Sequence, residues 1–174
     1  TDTTLILNAD GTFQVDLVCD LDALALGLPQ DADDAELSAT LNALSATDLS
    51  SLTQRLRQLF LRRVRVRFDG NPEPFNVTFP DYRTSRATES AIPTMLGLTA
   101  RLSGTVPSGA LEVEFFASRS FSEVHLTVID KARDVSVHSI LERGARSEPF
   151  KLTTDSGLTS SREVTWQYFR LGFV

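Results

Sequence analysis

Val64-Arg65-Val66-Arg67-Phe68-Asp69-Gly70-Asn71-Pro72 alternates apolar and basic side chains and then turns, and the next apolar residues, Phe75, Val77 and Phe79, alternate with Asn76 and Thr78. Period-two alternation interrupted by Asp-Gly marks a hairpin with one buried face, so the two runs read as paired strands. Downstream the same pattern continues. Leu96, Leu98, Ala100 and Leu102 mark a strand, Pro107-Ser108-Gly109 a turn, and Leu111, Val113 and Phe115 that strand's partner. Val124, Leu126 and Val128 share an inward face with Val135 and Val137, and Phe150-Lys151-Leu152 is a last short strand. Pro80 to Pro93 has little periodicity and reads as a long surface loop able to serve as a binding element.

Upstream, Thr3 to Leu7 is a β-prone run, Asn8-Ala9-Asp10-Gly11 is a turn, and Thr12 to Leu21 alternates, which predicts another hairpin. Phe13, Val15, Leu17, Cys19 and Leu21 fall on one face, so the single cysteine points inward as a small hydrophobe. Leu24-Ala25-Leu26-Gly27-Leu28-Pro29 ends the strand, and the period then becomes helical. Asp33-x-x-Glu36 resembles a capping box for a helix bearing Leu37, Leu41 and Leu44, and Ser45 or Thr47 with Asp48 opens a second bearing Leu49, Leu52, Leu56, Leu59 and Phe60. The expected fold is therefore mainly β, an immunoglobulin-like antiparallel β-sandwich with a two-helix insertion at about residues 33–61. One domain spans 1–158, and 159–174 forms a C-terminal amphipathic segment.

A chain of 174 residues with 41% hydrophobic and 23% charged residues is ordinary globular material. The net charge of −6 argues against nucleic acid or an anionic membrane surface as the main partner, since both require a basic footprint. One cysteine excludes an internal disulfide and a thiolate metal cluster. No run reaches the ~18 apolar residues of a membrane helix, and the start at Thr1 suggests that an upstream signal was removed.

Motifs for chemistry are sparse. The chain lacks His-Glu-x-x-His, Gly-x-Ser-x-Gly, a phosphate-cradling glycine loop and Cys-x-x-Cys, so no enzymatic activity is expected. The acidic run Asp31 to Glu36 fails as a calcium loop, because Glu36 and Asn42 stand where Gly and Glu are needed, and it suits a helix N-terminus instead. If Val128 pairs with Val135 and Leu126 with Val137, His125 lies opposite His138 on the outer sheet face. A slip of two residues makes them diagonal neighbours, whereas a slip of one exposes the apolar row. Glu123, Asp134 and Glu142 share that face, so His125, His138, Glu123 and Asp134 form a candidate set for zinc, nickel or copper. The alternative is two histidines on a solvated face.

The last residues, Trp166-Gln167-Tyr168-Phe169-Arg170-Leu171-Gly172-Phe173-Val174, combine aromatic rings with Arg. Such a mixture suits a membrane-water boundary, with Trp166, Tyr168, Phe169, Arg170 and Phe173 as membrane-proximal residues; a docked terminal strand or helix is the other reading. Tyr168-Phe169-Arg170-Leu171-Gly172-Phe173 resembles the segment leading into the first transmembrane helix of the HupE/UreJ family of bacterial membrane proteins, and Asp22 to Leu28 is similar in layout to ectodomains of some members. The resemblance implies a noncatalytic extracytoplasmic ectodomain, periplasmic or at the cell surface. It would be joined after Val174 to its own membrane domain, a nickel-type transporter, and would bind or organise that domain or other extracytoplasmic proteins. Two alternatives are metal capture by His125 and His138, and carbohydrate or peptide binding through the Pro80 to Pro93 loop, which offers Tyr82.

Overall fold

The computed structural model describes residues 1–29, 32–82 and 95–152. These residues are mainly β and form two sheets around one core. In chain order they are β1 (Asp2–Leu7), β2 (Thr12–Val18), α1 (Leu21–Leu26), α2 (Asp34–Asn42), α3 (Ala46–Arg63), β3 (Val64–Phe68), β4 (Asn71–Glu73), β5 (Asn76–Thr78), β6 (Thr99–Thr105), β7 (Glu112–Ala117), β8 (Val124–Asp130), β9 (Val135–Leu141) and β10 (Phe150–Lys151). The larger sheet runs β5-β6-β2-β1-β8-β9 and the smaller β10-β7-β3-β4. Leu5, Val15, Leu17, Leu102, Leu126 and Val128 of the first face Val64, Val66, Phe68, Val113 and Phe115 of the second across the core. Phe13 and Phe68 meet between the sheets with ring centroids 5.5 Å apart.

Alternation predicts the buried faces well but not every strand partner. The expected hairpin between Val64–Phe68 and Phe75–Phe79 is replaced by β3 with β4, pairing Val66 with Glu73 and Phe68 with Asn71. β5 instead joins β6 in the other sheet. Pro72 and Pro74 explain the change, since a proline cannot donate to a ladder and confines β4 to a short edge before the chain crosses over. Likewise Pro107-Ser108-Gly109 does not link paired strands: β6 belongs to the six-stranded sheet and β7 to the four-stranded one. The pairing is also not wholly antiparallel, because β1 lies parallel to β8.

The expected strand through Leu21 ends at Val18, and a third helix takes its place. Asp20 accepts from the Ala23 N–H at 2.9 Å and caps α1, while Gly27, at φ 72°, closes it with Leu28 N–H on Ala23 O at 2.9 Å. Leu-Asp-Ala-Leu-Ala-Leu has no β-branched residue, so capping at both ends decides for helix. The helical portion thus holds three helices, beginning at Leu21 rather than near residue 33. The other two caps agree with expectation. Asp33 accepts from Ala35 and Glu36 N–H at 3.0 Å, and Ser45 accepts from Asp48 N–H at 3.1 Å. α3 buries Leu52, Leu56 and Phe60, the last against Phe121 and Phe79 with centroids 5.5 and 6.0 Å apart.

Candidate functional site

The β8–β9 hairpin carries the expected histidines, and its turn sets their register. Asp130, buried, accepts from Ala132 N–H at 2.9 Å, Arg133 N–H at 3.1 Å and Arg133 Nε at 2.7 Å. Arg133 also donates to Lys151 O and stacks over the Phe150 ring, which ties the hairpin to β10. With Asp134 left-handed at φ 54°, the turn occupies residues 131–134 and pairs Asp130 with Val135. That is the two-residue slip: Val128 faces Val137, and His125 faces Ile140 instead of His138.

The slip leaves His125 and His138 as diagonal neighbours on the outer face, and each ring has its own partners. His138 Nδ1 lies 2.9 Å from Thr127 Oγ1, whereas His125 has Glu123 Oε1 3.0 Å from Nε2 and Asp2 Oδ1 3.5 Å from Nδ1. The two carboxylates engage opposite nitrogens of one ring, so they do not converge on a point where an ion could sit. Asp134 belongs to the turn, at the other end of the hairpin from His125. Among the described residues, no three His, Cys, Asp or Glu side chains gather as a metal requires. Cys19 is buried, and burial pushes its thiol up to about 12, consistent with the inert apolar role read from its position.

Val135 and Val137 occupy the inward face with Val128, yet they are 39% and 41% exposed, because β9 lies at the end of the larger sheet where nothing described covers it. On the outer face Ile140 is 68% exposed. Backbone alternation defines the free side of this strand. His125 N–H donates to Thr1 O and Lys131 N–H to Leu7 O, so the alternate residues Leu126, Val128 and Asp130 turn their polar backbone toward β9. Their partners Ser139, Val137 and Val135 are thereby engaged, and Ser136, His138 and Ile140 direct N–H and C=O outward.

The other three sheet edges are blunted. β10 has two residues, β4 has three with Pro72 among them, and β5 has three with Val77 O accepting from Arg57 Nε at 3.1 Å. β9 has seven residues, Val-Ser-Val-His-Ser-Ile-Leu, with no Asp, Glu, Lys, Arg or Pro and an unbroken register against β8. Natural sheets protect long edges with charge, proline, bulges or cover, and within β9 itself there is no charged residue, proline or bulge. The sequence signal for this feature is an uncharged strand second in its hairpin; what was missing was the sheet order that leaves it last.

Most of the Pro80 to Pro93 loop lies outside the described residues, as do Trp166, Tyr168, Phe169, Arg170 and Phe173 and the whole segment 159–174. The loop's stem is described. Asp22 Oδ2 and Oδ1 accept from Met95 and Leu96 N–H at 2.8 Å each, Asp81 accepts from Thr99 N–H at 3.1 Å, and Tyr82 packs against the core. Among the described residues no helix is long and apolar enough to cross a membrane.

Among the described residues these features define a mainly β domain with two sheets and one open strand edge. Comparison with protein-family models, with curated proteins and with solved structures finds no match to the chain.

Proposed function

We propose that this chain is a noncatalytic binding module that takes an extended polypeptide segment as an additional strand on β9. The observation that carries the reading is the edge itself, seven residues without Asp, Glu, Lys or Arg, with Ser136, His138 and Ile140 turning backbone groups away from β8 to a side that no other strand covers among the described residues, and Val135, Val137 and Ile140 exposed beside them. Main-chain hydrogen bonds would supply affinity, and side chains alternating onto Val135 and Val137 would supply specificity. Under this reading the domain is an immunoglobulin-like sandwich, for which two sheets around a common core are the support, with the parallel β1–β8 pair as a variation. The place of action we propose is extracytoplasmic, in a membrane protein of the HupE/UreJ kind, on the strength of Tyr168 to Phe173. The ligand is then a segment of the attached membrane protein or of an extracytoplasmic partner, and the module organises the assembly.

The test is a photo-crosslinking residue at His138 in the protein expressed in its host membrane, with adducts mapped by mass spectrometry. The expected adduct lies in a segment of alternating apolar and polar residues and is lost in Ile140→Pro, which removes an outward N–H and spares the ladder to β8. Adducts that persist in Ile140→Pro would overturn strand addition, and adducts with a second copy of the chain would replace it with self-association.

A further inference from the structure

Between Asp48 and Asp69 the chain has no acidic residue and six arginines, Arg55, Arg57, Arg62, Arg63, Arg65 and Arg67, although its net charge is −6. The fold sorts them into two groups. Arg57 is committed to Val77 O, Arg65 donates to Leu61 O and Val64 O at 2.7 Å, and Arg67 is half-buried on β3. Arg55, Arg62 and Arg63 are exposed on α3 and make no ion pair among the described residues. With Gln54, Gln58 and half-buried Leu59 they line one open depression along the outward face of the helix, opposite buried Leu52, Leu56 and Phe60. Arg55 and Arg62 stand about two turns apart, roughly 10 Å along the axis. The helix dipole accounts for Asp48 in the first turn and for Arg62 and Arg63 in the last, but not for Arg55 in the middle, and no carboxylate follows Asp48 along this face of the helix.

We infer that this face docks on the anionic phosphate headgroups of a lipid bilayer. Guanidinium groups pair with phosphate oxygens, their stems and Leu59 suit the headgroup boundary, and the part of α3 that carries them, beyond Asp48, has no acidic residue. A nucleic acid is the poorer fit, because it needs a longer basic track and stacking rings, and no aromatic residue lies on this face. α3 packs beside β3 and β5, at the end of the larger sheet opposite β9, so lipid contact would leave the open edge free. The inference rests on charge placement and stands or falls separately from strand addition.

Each arginine near an anionic surface is worth about a fivefold gain in partitioning, so the three together amount to about a hundredfold. The test is co-sedimentation of the whole 174-residue chain with vesicles of phosphatidylcholine alone and of phosphatidylcholine with phosphatidylglycerol. Binding is expected to be tighter with phosphatidylglycerol than with phosphatidylcholine alone, and that difference to shrink as salt rises. The Arg55→Gln, Arg62→Gln, Arg63→Gln triple variant, checked for an unchanged circular dichroism spectrum, should lose about a hundredfold. Inorganic phosphate should compete no better than chloride at equal ionic strength. Equal binding to both vesicles, a triple variant that binds like the parent, preferential competition by phosphate, or tighter binding to single-stranded DNA would each overturn the inference.

Discussion

Asp22 shows what one residue does at the junction of helix and loop. Its side chain is buried within α1, and its two oxygens hold the Met95 and Leu96 amides where the chain returns toward β6. Burial pushes its carboxyl above the ordinary value of 3.8, and the two amide donors pull it back only in part. A raised folded-state pKa means that folding favours the protonated form. The stability linked to this group is therefore fullest below 3.8 and diminishes as pH rises through the folded value. Denaturant titrations of the parent and of Asp22→Asn across that range should show the parent losing ground to the variant as pH rises; a constant difference would contradict the assignment. In the sequence Asp22 directly follows the alternating run Thr12 to Leu21, where nothing local marks a carboxylate for burial. The partners that bury it lie more than seventy residues away, which no local pattern announces.

Among the elements, the helices divide by how local their signals are. Asp33 and Ser45 were legible as caps because capping is a contact within three residues, and both bonds are present. α1 was not, since Leu-Ala runs carry no period and its N-cap Asp20 also fits the polar face of a strand. α3 is held chiefly by its apolar face, with Phe60 fully buried between Phe79 and Phe121. Phe60→Ala should cost about 3–5 kcal/mol, read from the shift in denaturant midpoint with little change in slope. A cost below about 1 kcal/mol would mean that α3 is not a structural part of the core. The β8–β9 hairpin gives the complementary lesson. Its face assignment was correct from alternation, but its register came from the buried Asp130 and the left-handed Asp134, and that shift moved His138 from His125 to Thr127.

For the whole molecule, one continuous core joins both sheets and the helices. Unfolding should therefore be a single cooperative transition, with near-ultraviolet and far-ultraviolet circular dichroism giving coincident denaturation curves; separated midpoints would show that the helical portion melts by itself. By itself the sequence determined the mainly β class, the buried face of most strands, the inert position of Cys19 and two of three helix starts. All of these depend on contacts a few residues apart, where period and capping chemistry are sufficient. Only the tertiary structure decided which sheet each strand joined, sending β5 and β7 away from their expected hairpin partners. It also placed β9 last in its sheet with Val135 and Val137 uncovered, and gathered Arg55, Arg62 and Arg63 on one face of an otherwise acidic chain. Sheet order, edge exposure and charge placement are relations between distant segments, and they are fixed by packing around the common core.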